Sequence, residues 1–557
     1  MNKTRKNFST NLTALFYILF QLIKVVYTDK SPPNIIFILA DDLGWNDVSF
    51  HGSSQIFTPH IDALAYSGII LNSYYVNPIC TPSRSALMTG KYPIHTGMQH
   101  TVLFGAEARG LPLTEKILPQ YLKDLGYSNH IVGKWHLGSY TKAYTPLMRG
   151  FESHVGFWTG HQDYFDHTAE EKGMWGLDMR RNFDVAYDLH GKYITDVISN
   201  EAVKVIHNRN TSQPLFLYVA HAASHSGNSY NPLPAFDDDV AKIKHIDDFN
   251  RRKFAAIVQH MDKSVGEIVN ALAEENILNN SIIIFSSDNG GPAAGFNLNA
   301  ASNFPLRGVK NTLWEGGIRA AGFIWSPLLK QRARVSNQLF HISDWLPTLY
   351  HAAGGNSSIF KQRKIDGIDQ FEILNENLQS SRTEVLHNID NIWGSSSLMM
   401  DKWKLVVGTN YDGQWDYWYG PVGNRTESSY SINDLLNSST AKALEKLNML
   451  PDVDTILRSR RAATVACTNI EIDKCKPLEK PCLFDILNDP CEENNLADKY
   501  PNIMKTLMSR LNEFNASSIP ASNLPIDQRG NPKYHNYVWT NWGDFNNDVN
   551  EHSTIHY

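Results

Sequence analysis

Three short runs of the sequence, Asn34 to Ala40 (NIIFILA), Pro214 to Ala220 (PLFLYVA) and Ser281 to Ser286 (SIIIFS), are almost continuously apolar and are bounded by polar residues. A strand with one wet face alternates apolar and polar side chains. Uninterrupted apolarity is what a strand needs when both faces are covered, as in a parallel sheet between two layers of helices. Helical patterns lie between these runs. Leu113 to Leu125 is one, and Ile246 to Leu272 is a longer one in which Phe254, Ile257, Val258, Met261, Val265, Ile268 and Leu272 recur at helical spacing. The alternation predicts an α/β sandwich built on a large, mostly parallel central sheet with helices on both faces. After about residue 375 the pattern weakens. Shorter, more polar strand-like runs (Ser397 to Val407), an aromatic loop (Trp415, Tyr417, Trp418, Tyr419) and a helix from Pro501 to Phe514 suggest a smaller C-terminal α+β domain. The expected division is therefore 31–375 and 376–557. Arg458-Ser459-Arg460-Arg461 reads as a solvated loop. A chain of 557 residues with 42% hydrophobic content can bury a sizeable core and exceeds one compact domain. Its formal charge of −6 gives no reason to expect nucleic acid.

At the N-terminus, Lys3, Arg5 and Lys6 precede the apolar run Ala14 to Phe20, which reads as a signal peptide over residues 1–27 with the mature chain starting near Thr28. The run falls short of the roughly 20 apolar residues of a membrane span. Lys24 interrupts its continuation, so no stable membrane anchor is expected. Sequons at Asn210, Asn279, Asn356, Asn424, Asn437 and Asn515 fit a glycoprotein of the secretory pathway, secreted or lysosomal. Of five cysteines, Cys467, Cys475, Cys482 and Cys491 cluster near the C-terminus and can form two disulfides, their pairing left open. Cys80 is left over, at the start of a predicted helix.

Polar chemistry gathers where strands end. Asp41 and Asp42 follow the first apolar run, and Asp288 and Asn289 follow the third, at the carboxyl ends where open α/β sheets bind ligands. If these strands are near neighbours, three carboxylates and an amide converge. Such a cluster cannot stay ionised without a cation. Oxygen donors in a carboxylate-rich, irregular set favour Ca²⁺ over Mg²⁺. Lys134 and His136 follow the strand-like Ser128 to Val132, on one face if that strand continues through them. His225 follows the second apolar run, and Lys310 lies in Pro305-Leu306-Arg307-Gly308-Val309-Lys310. A divalent ion beside Arg84, Lys134 and Lys310 suits a small, multiply charged oxyanion, a phosphate or sulfate ester.

Cys80-Thr81-Pro82-Ser83-Arg84 with Thr89-Gly90, and Gly133-Lys134-Trp135-His136-Leu137-Gly138, resemble the two signatures of the type I sulfatases. The similarity is closest to the arylsulfatase B (N-acetylgalactosamine-4-sulfatase) group. It runs from about Asn34 to Pro327, including Arg149-Gly150-Phe151 and Leu313-Trp314-Glu315-Gly316-Gly317, and returns at Leu483-Phe484-Asp485-Ile486. The resemblance implies an alkaline-phosphatase-like sandwich with a C-terminal antiparallel sheet. It also implies conversion of Cys80 to formylglycine by a formylglycine-generating enzyme. The hydrated aldehyde would carry two hydroxyls, one to attack sulfur and one to release sulfate afterwards. Carried over position by position, Asp41, Asp42, Asp288, Asn289 and residue 80 itself would hold one Ca²⁺. Arg84 would hold the nucleophile, and Pro82 at the helix start would leave first-turn N–H groups facing the anion. His136 would accept the proton that drives sulfate release. Lys134, His225 and Lys310 would bind sulfate, one of the last two also donating a proton to the leaving oxygen. His95 and His100 read as structural.

This chain departs from the arylsulfatase B pattern in two places. Ser226-Gly227 follows His225 where that group has an acidic residue and Pro, and the group's catalytic-domain cysteine pairs are missing. The substrates implied are a sulfated sugar of glycosaminoglycan type, a small sulfated glycoside such as a glucosinolate, or an aryl sulfate, with Trp415 to Tyr419 a candidate wall. A phosphodiesterase or phosphonate hydrolase on the same architecture, and a non-catalytic binding homologue, are the alternatives.

Overall fold

The first apolar run becomes a central strand. A computed structural model describes residues 31–297, 300–423, 429–467 and 475–545. The signal-peptide segment 1–27 and the sequon at Asn424 lie outside them. The strands of the large sheet are β1 (Asn34–Ala40), β2 (Ile69–Leu71), β3 (Ser128–Lys134), β4 (Ser153–Phe157), β5 (Arg180–Arg181), β6 (Asp184–Val185), β7 (Leu215–Ala220), β8 (Ser281–Ser287), β9 (Gly322–Trp325) and β10 (Arg334–Ser336). Their order is β10-β2-β9-β8-β1-β7-β3-β4-β5-β6. β8, β1, β7, β3 and β4 run parallel, whereas β9 is antiparallel to both its neighbours and β5 to β4. In register, Leu39 lies opposite both Ala220 and Ser286. The three apolar runs thus end at one level, and the chain leaves β1 and β8 side by side carrying Asp41-Asp42 and Asp288-Asn289.

Alternate residues of the central strands serve two cores, as a two-residue period requires. Ile36, Ile38, Leu217, Val219, Ile283 and Phe285 face helices α1 (Pro59–Ser67), α3 (Ile194–Asn208) and α4 (Phe249–Glu274). Ile35, Phe37, Phe216, Tyr218, Ile282 and Ile284 face α2 (Cys80–Thr89) and α5 (Trp345–Ala352). All seven apolar residues expected to form the stripe of α4 are buried. Asp248 caps this helix by accepting from Arg251 N at 2.7 Å, which sets its start three residues beyond Ile246. The helix expected over Leu113 to Leu125 is shorter, Leu118–Asp124, because Gln120 Oε1 accepts from Ile117 N and caps the chain there.

The C-terminal part contributes to two places. Strands β11 (Glu384–Asp390), β12 (Ser395–Met400), β13 (Trp403–Val407) and β14 (Cys482–Asp485) form an antiparallel sheet, covered by Leu507, Leu511 and Phe514 of the helix Pro501–Ser517. The run Ser397 to Val407 is two of these strands joined by a turn. Residues 430–463 return instead to the large sheet, where Tyr430, Leu435, Ala441, Leu444 and Ile456 enter the core of Ile36 and Ile38. Arg458 to Arg461 are not a solvated loop. They lie in α6 (Val453–Ala463), whose Ile456 and Ala463 are buried. Arg460 is 4% exposed, donates to Gly52 O at 2.8 Å and covers the Tyr430 ring at 4.4 Å. A charged run gave no sign of this burial because the apolar stripe of the helix is short. The clustered cysteines pair as Cys467–Cys491 and Cys475–Cys482, and Cys80 is free. Among the described residues no helix is long and apolar enough to cross a membrane.

One buried acid makes the core sensitive to pH. Asp62 of α1 accepts from Tyr430 Oη at 2.7 Å and Thr58 Oγ1 at 3.1 Å, and burial pushes its carboxyl up to about 7 despite these donors. In the unfolded chain it ionises near its ordinary value of about 3.9. Between roughly pH 4 and 7 the unfolded chain therefore loses this proton while the folded one keeps it, so stability falls as pH rises, by on the order of 4 kcal/mol for this group. Asp62→Asn is expected to flatten that decline in melting temperature from pH 4 to 8. An unchanged slope would refute the assignment.

Candidate active site

Helix α2 opens on Cys80 after the extended residue Ile79, with no side chain capping it, and every residue from Cys80 to Thr89 is buried. Pro82 lacks an N–H and Ser83 N is taken by Ile79 O, so the first-turn donors left facing the site are those of Cys80 and Thr81. The helix ends on Gly90 at φ 67°, a left-handed position that suits glycine. Its start sets Cys80 Sγ 3.6 Å from Asp41 Oδ1 and 4.0 Å from Asp42 Oδ1. One atom each of Asp41, Asp42, Cys80 and Asp288 lies within 4.8 Å of the others. Burial pushes the Cys80 thiol up, so as a cysteine it is a neutral group among carboxylates.

Three cations close the cluster. Arg84 donates through Nε to Asp288 Oδ2 at 3.0 Å, and its Nη2 lies 2.9 Å from that same oxygen and 3.5 Å from Asp41 as an ion pair. Lys134 Nζ is 2.6 Å from Asp41 Oδ2, and Lys310 Nζ is 2.7 Å from Asp42 Oδ2. Arg84, Lys134 and Lys310 thus match Asp41, Asp42 and Asp288 charge for charge. Asn289 donates through Nδ2 to Asp42 Oδ1 at 2.7 Å, while its buried Oδ1 has no partner. An orphaned buried carbonyl costs about 1–3 kcal/mol. Beside three carboxylates it completes an oxygen donor set that fits a hard divalent cation.

The histidines have defined tautomers. His136 Nε2 faces Leu103 O at 2.9 Å and must donate there, leaving Nδ1 bare, buried and unpartnered. Burial, Lys134 and Arg84 hold this ring well below the usual histidine range, so Nδ1 is a free acceptor. β3 ends at Lys134 and His136 takes φ 57°, so the two do not share a strand face: the end of the strand carries Lys134 to Asp41, and the left-handed turn after it places His136. His225 Nδ1 donates to Ser226 O at 2.7 Å, and its Nε2 lies 3.2 Å from Lys310 Nζ and 3.5 Å from Asp42. Burial lowers it to about 3 against the pull of Asp42. The backbone of Ser226 thus orients His225. His95 and His100 lie away from the cluster, paired with Asp366 and Asp390 at 2.8 Å each.

Two residues near the site escaped sequence reasoning. His161 stacks on His225 with ring centroids 5.7 Å apart, and burial with the neighbouring cations lowers it to about 3. Glu171 accepts from Gly105 N at 2.6 Å and Gly160 N at 3.1 Å. Gly160 lies beside His136, where a Cβ would sit 2.9 Å from the ring, and Gly105 is two residues from Leu103, whose O holds the Nε2 of His136. Both residues lie far in sequence from the groups they serve, with no spacing rule to flag them. Of the aromatic loop, Trp418 donates to Cys491 O and lies under Arg307, a structural placement, whereas Trp415 packs on Gly295.

Residues 33–355 match the family model described as Sulfatase. Arylsulfatase J of Mus musculus is 39% identical over 533 residues, 92% of this chain and 80% of that protein. N-acetylgalactosamine-6-sulfatase of Mus musculus is 32% identical over 61% of this chain and 65% of its own length. Among solved structures, Ps i-CgsB in complex with k-i-k-neocarrahexaose superposes with a TM-score of 0.69 at 26% identity, covering 89% of this chain and 96% of that one.

Proposed function

This chain belongs to the sulfatase family and is a sulfuric ester hydrolase; on that premise we propose that its nucleophile is a formylglycine made from Cys80 and that one Ca²⁺ sits among Asp41, Asp42, Asp288 and Asn289. The observation that carries the reading is a free, buried Cys80 at a helix start, within 4.0 Å of two carboxylates that the cations Lys134 and Lys310 also hold. Formylglycine, once hydrated, supplies one hydroxyl for attack on sulfur and a second for release of sulfate. Bound Ca²⁺ would polarise the sulfate and the attacking oxygen.

The chain's own groups do the rest. Lys134 and Lys310 offer ammonium donors to the sulfate oxygens as these exchange their present carboxylate partners for substrate. Arg84, anchored on Asp288, holds the nucleophile from the other side. His136 takes a proton at its bare Nδ1, since Nε2 is committed to Leu103 O. A proton passes to the leaving oxygen from Lys310, with His225 Nε2 beside it at 3.2 Å. Arg84, Lys134 and Lys310 already neutralise Asp41, Asp42 and Asp288, so a divalent cation enters most favourably together with an anionic sulfate.

The substrate class is a sulfated sugar, a small sulfated glycoside or an aryl sulfate. A secretory-pathway protein is supported by the two disulfides and by the exposure of Asn210, Asn279, Asn356, Asn437 and Asn515. The test is turnover of nitrophenyl sulfate against nitrophenyl phosphate by protein produced with the modifying enzyme, alongside mass spectrometry of the Cys80 peptide. Faster phosphate turnover, or unmodified cysteine in active protein, would overturn the reading. Chelation is expected to remove at least about 10-fold of the activity, and Ca²⁺ is expected to restore it better than Mg²⁺. Equal rescue by the two ions would count against Ca²⁺.

A further inference from the structure

A line of aromatic rings leads out from the sulfate-facing cation. Phe296 lies beneath Lys310 Nζ, 5.3 Å from ring centre to nitrogen, and meets Tyr411 edge-on at 6.5 Å. Tyr411 packs on Trp393 at 5.8 Å, and Trp393 on His100 at 5.0 Å. The line is tied to the site by the backbone. Asn311, next to Lys310, donates to Tyr411 Oη at 2.7 Å, and Trp393 shares a small crevice with Pro78, Ile79 and Asn311, which flank Cys80 and Lys310. Tyr411 is 41% exposed, and Phe296 and Trp393 are half-buried, so the rings present faces rather than filling a core.

Charge along the line is sparse. Among the described residues Lys310 is the one cation whose head lies over a ring of this line. Among the described residues, acids adjoin the line at Asp42, which holds Lys310, at Asp390, which pairs with His100, and at Asp412, which follows Tyr411 in the chain. Among the described residues no arginine lies over these rings, so a polyanionic chain threading here would meet apolar faces without an arginine fork stacked on them to receive its carboxylates and sulfates. A ring with a flat apolar face would meet stacking partners.

We propose that Phe296, Tyr411 and Trp393 receive the leaving group of the sulfate ester, and that this group is a neutral ring, either aryl or the C–H face of a single pyranose, rather than part of a polyanionic chain. The inference rests on the sulfatase reading above. It is tested by steady-state kinetics of the full mature protein on nitrophenyl sulfate, a monosulfated methyl glycoside and a chondroitin sulfate tetrasaccharide, with Phe296→Leu, Tyr411→Leu, Trp393→Leu and Trp393→Phe. Each leucine variant is expected to raise KM for the ring it stacks by about 2- to 12-fold. Inhibition by inorganic sulfate is expected to be unchanged, and Trp393→Phe to restore most of the loss. The aryl and glycoside arms show which ring is preferred. Unchanged KM in the leucine variants, or a tetrasaccharide turned over better than both small substrates, overturns the proposal while leaving the sulfatase reading intact. Absence of turnover by the wild type on all three substrates overturns both. A leucine variant that loses inorganic sulfate inhibition along with KM has disturbed the sulfate site and also counts against the proposal.

Discussion

Cys80→Ala is expected to lower sulfate-ester turnover by at least about 10⁴-fold, the scale seen when a covalent nucleophile is removed, with little change in melting temperature. The side chain is 2% exposed, but it makes only long contacts to Asp41 and Asp42, so trimming it removes little packing. Cys80→Ser makes a sharper test. A serine hydroxyl at this position can attack, assisted by the same neighbours, but it lacks the second hydroxyl that would expel sulfate. One equivalent of leaving group per protein, followed by a stall with sulfate retained on the substituted side chain, is the expected result, read by burst kinetics and intact mass. Sustained turnover by this variant would show that position 80 acts without an aldehyde.

The largest effect on stability is expected from Arg84→Ala. Its guanidinium is fully buried and makes a two-point contact with Asp288, a longer one with Asp41 and a hydrogen bond to Lys134 O at 3.3 Å. Removing it strands Asp288 in the interior with one fewer compensating charge, a defect of about 3–5 kcal/mol. The loss should show in chemical denaturation with chelator present and shrink when Ca²⁺ is added, because the ion supplies the missing charge. A loss below about 1 kcal/mol in chelator would mean that the cluster is wetter or less charged than the geometry implies. Turnover should also collapse, since the same guanidinium faces residue 80.

Much of the sheet was legible because short, continuous apolar runs bounded by polar residues suit a strand covered on both faces and little else. NIIFILA, PLFLYVA and SIIIFS became three adjacent strands, and their common end level brought four oxygen-bearing side chains together. The edge strands were not legible: Arg180–Arg181 and Asp184–Val185 are too short and too charged to carry a period. Lys134 and His136 were expected on one strand face, but the strand stops between them and a left-handed turn places His136, which alternation cannot reveal. Glu171 and Ser226 act through backbone groups, so their contribution depends on where loops cross. The pairing of the four late cysteines likewise needed three dimensions.

The return of residues 430–463 to the core of the first strands bears on how such a chain can change over evolutionary time. Leu435, Ala441, Leu444 and Ile456 are walls of a compartment whose other walls are Ile36, Ile38 and α4. Exchange of C-terminal halves between diverged relatives would bring together surfaces that had drifted separately, and mismatched volumes at this seam would cost several kcal/mol before any active-site residue was altered. Selection on the helices of residues 430–463 is thereby bound to selection on the first strand, although about 400 residues of sequence separate them.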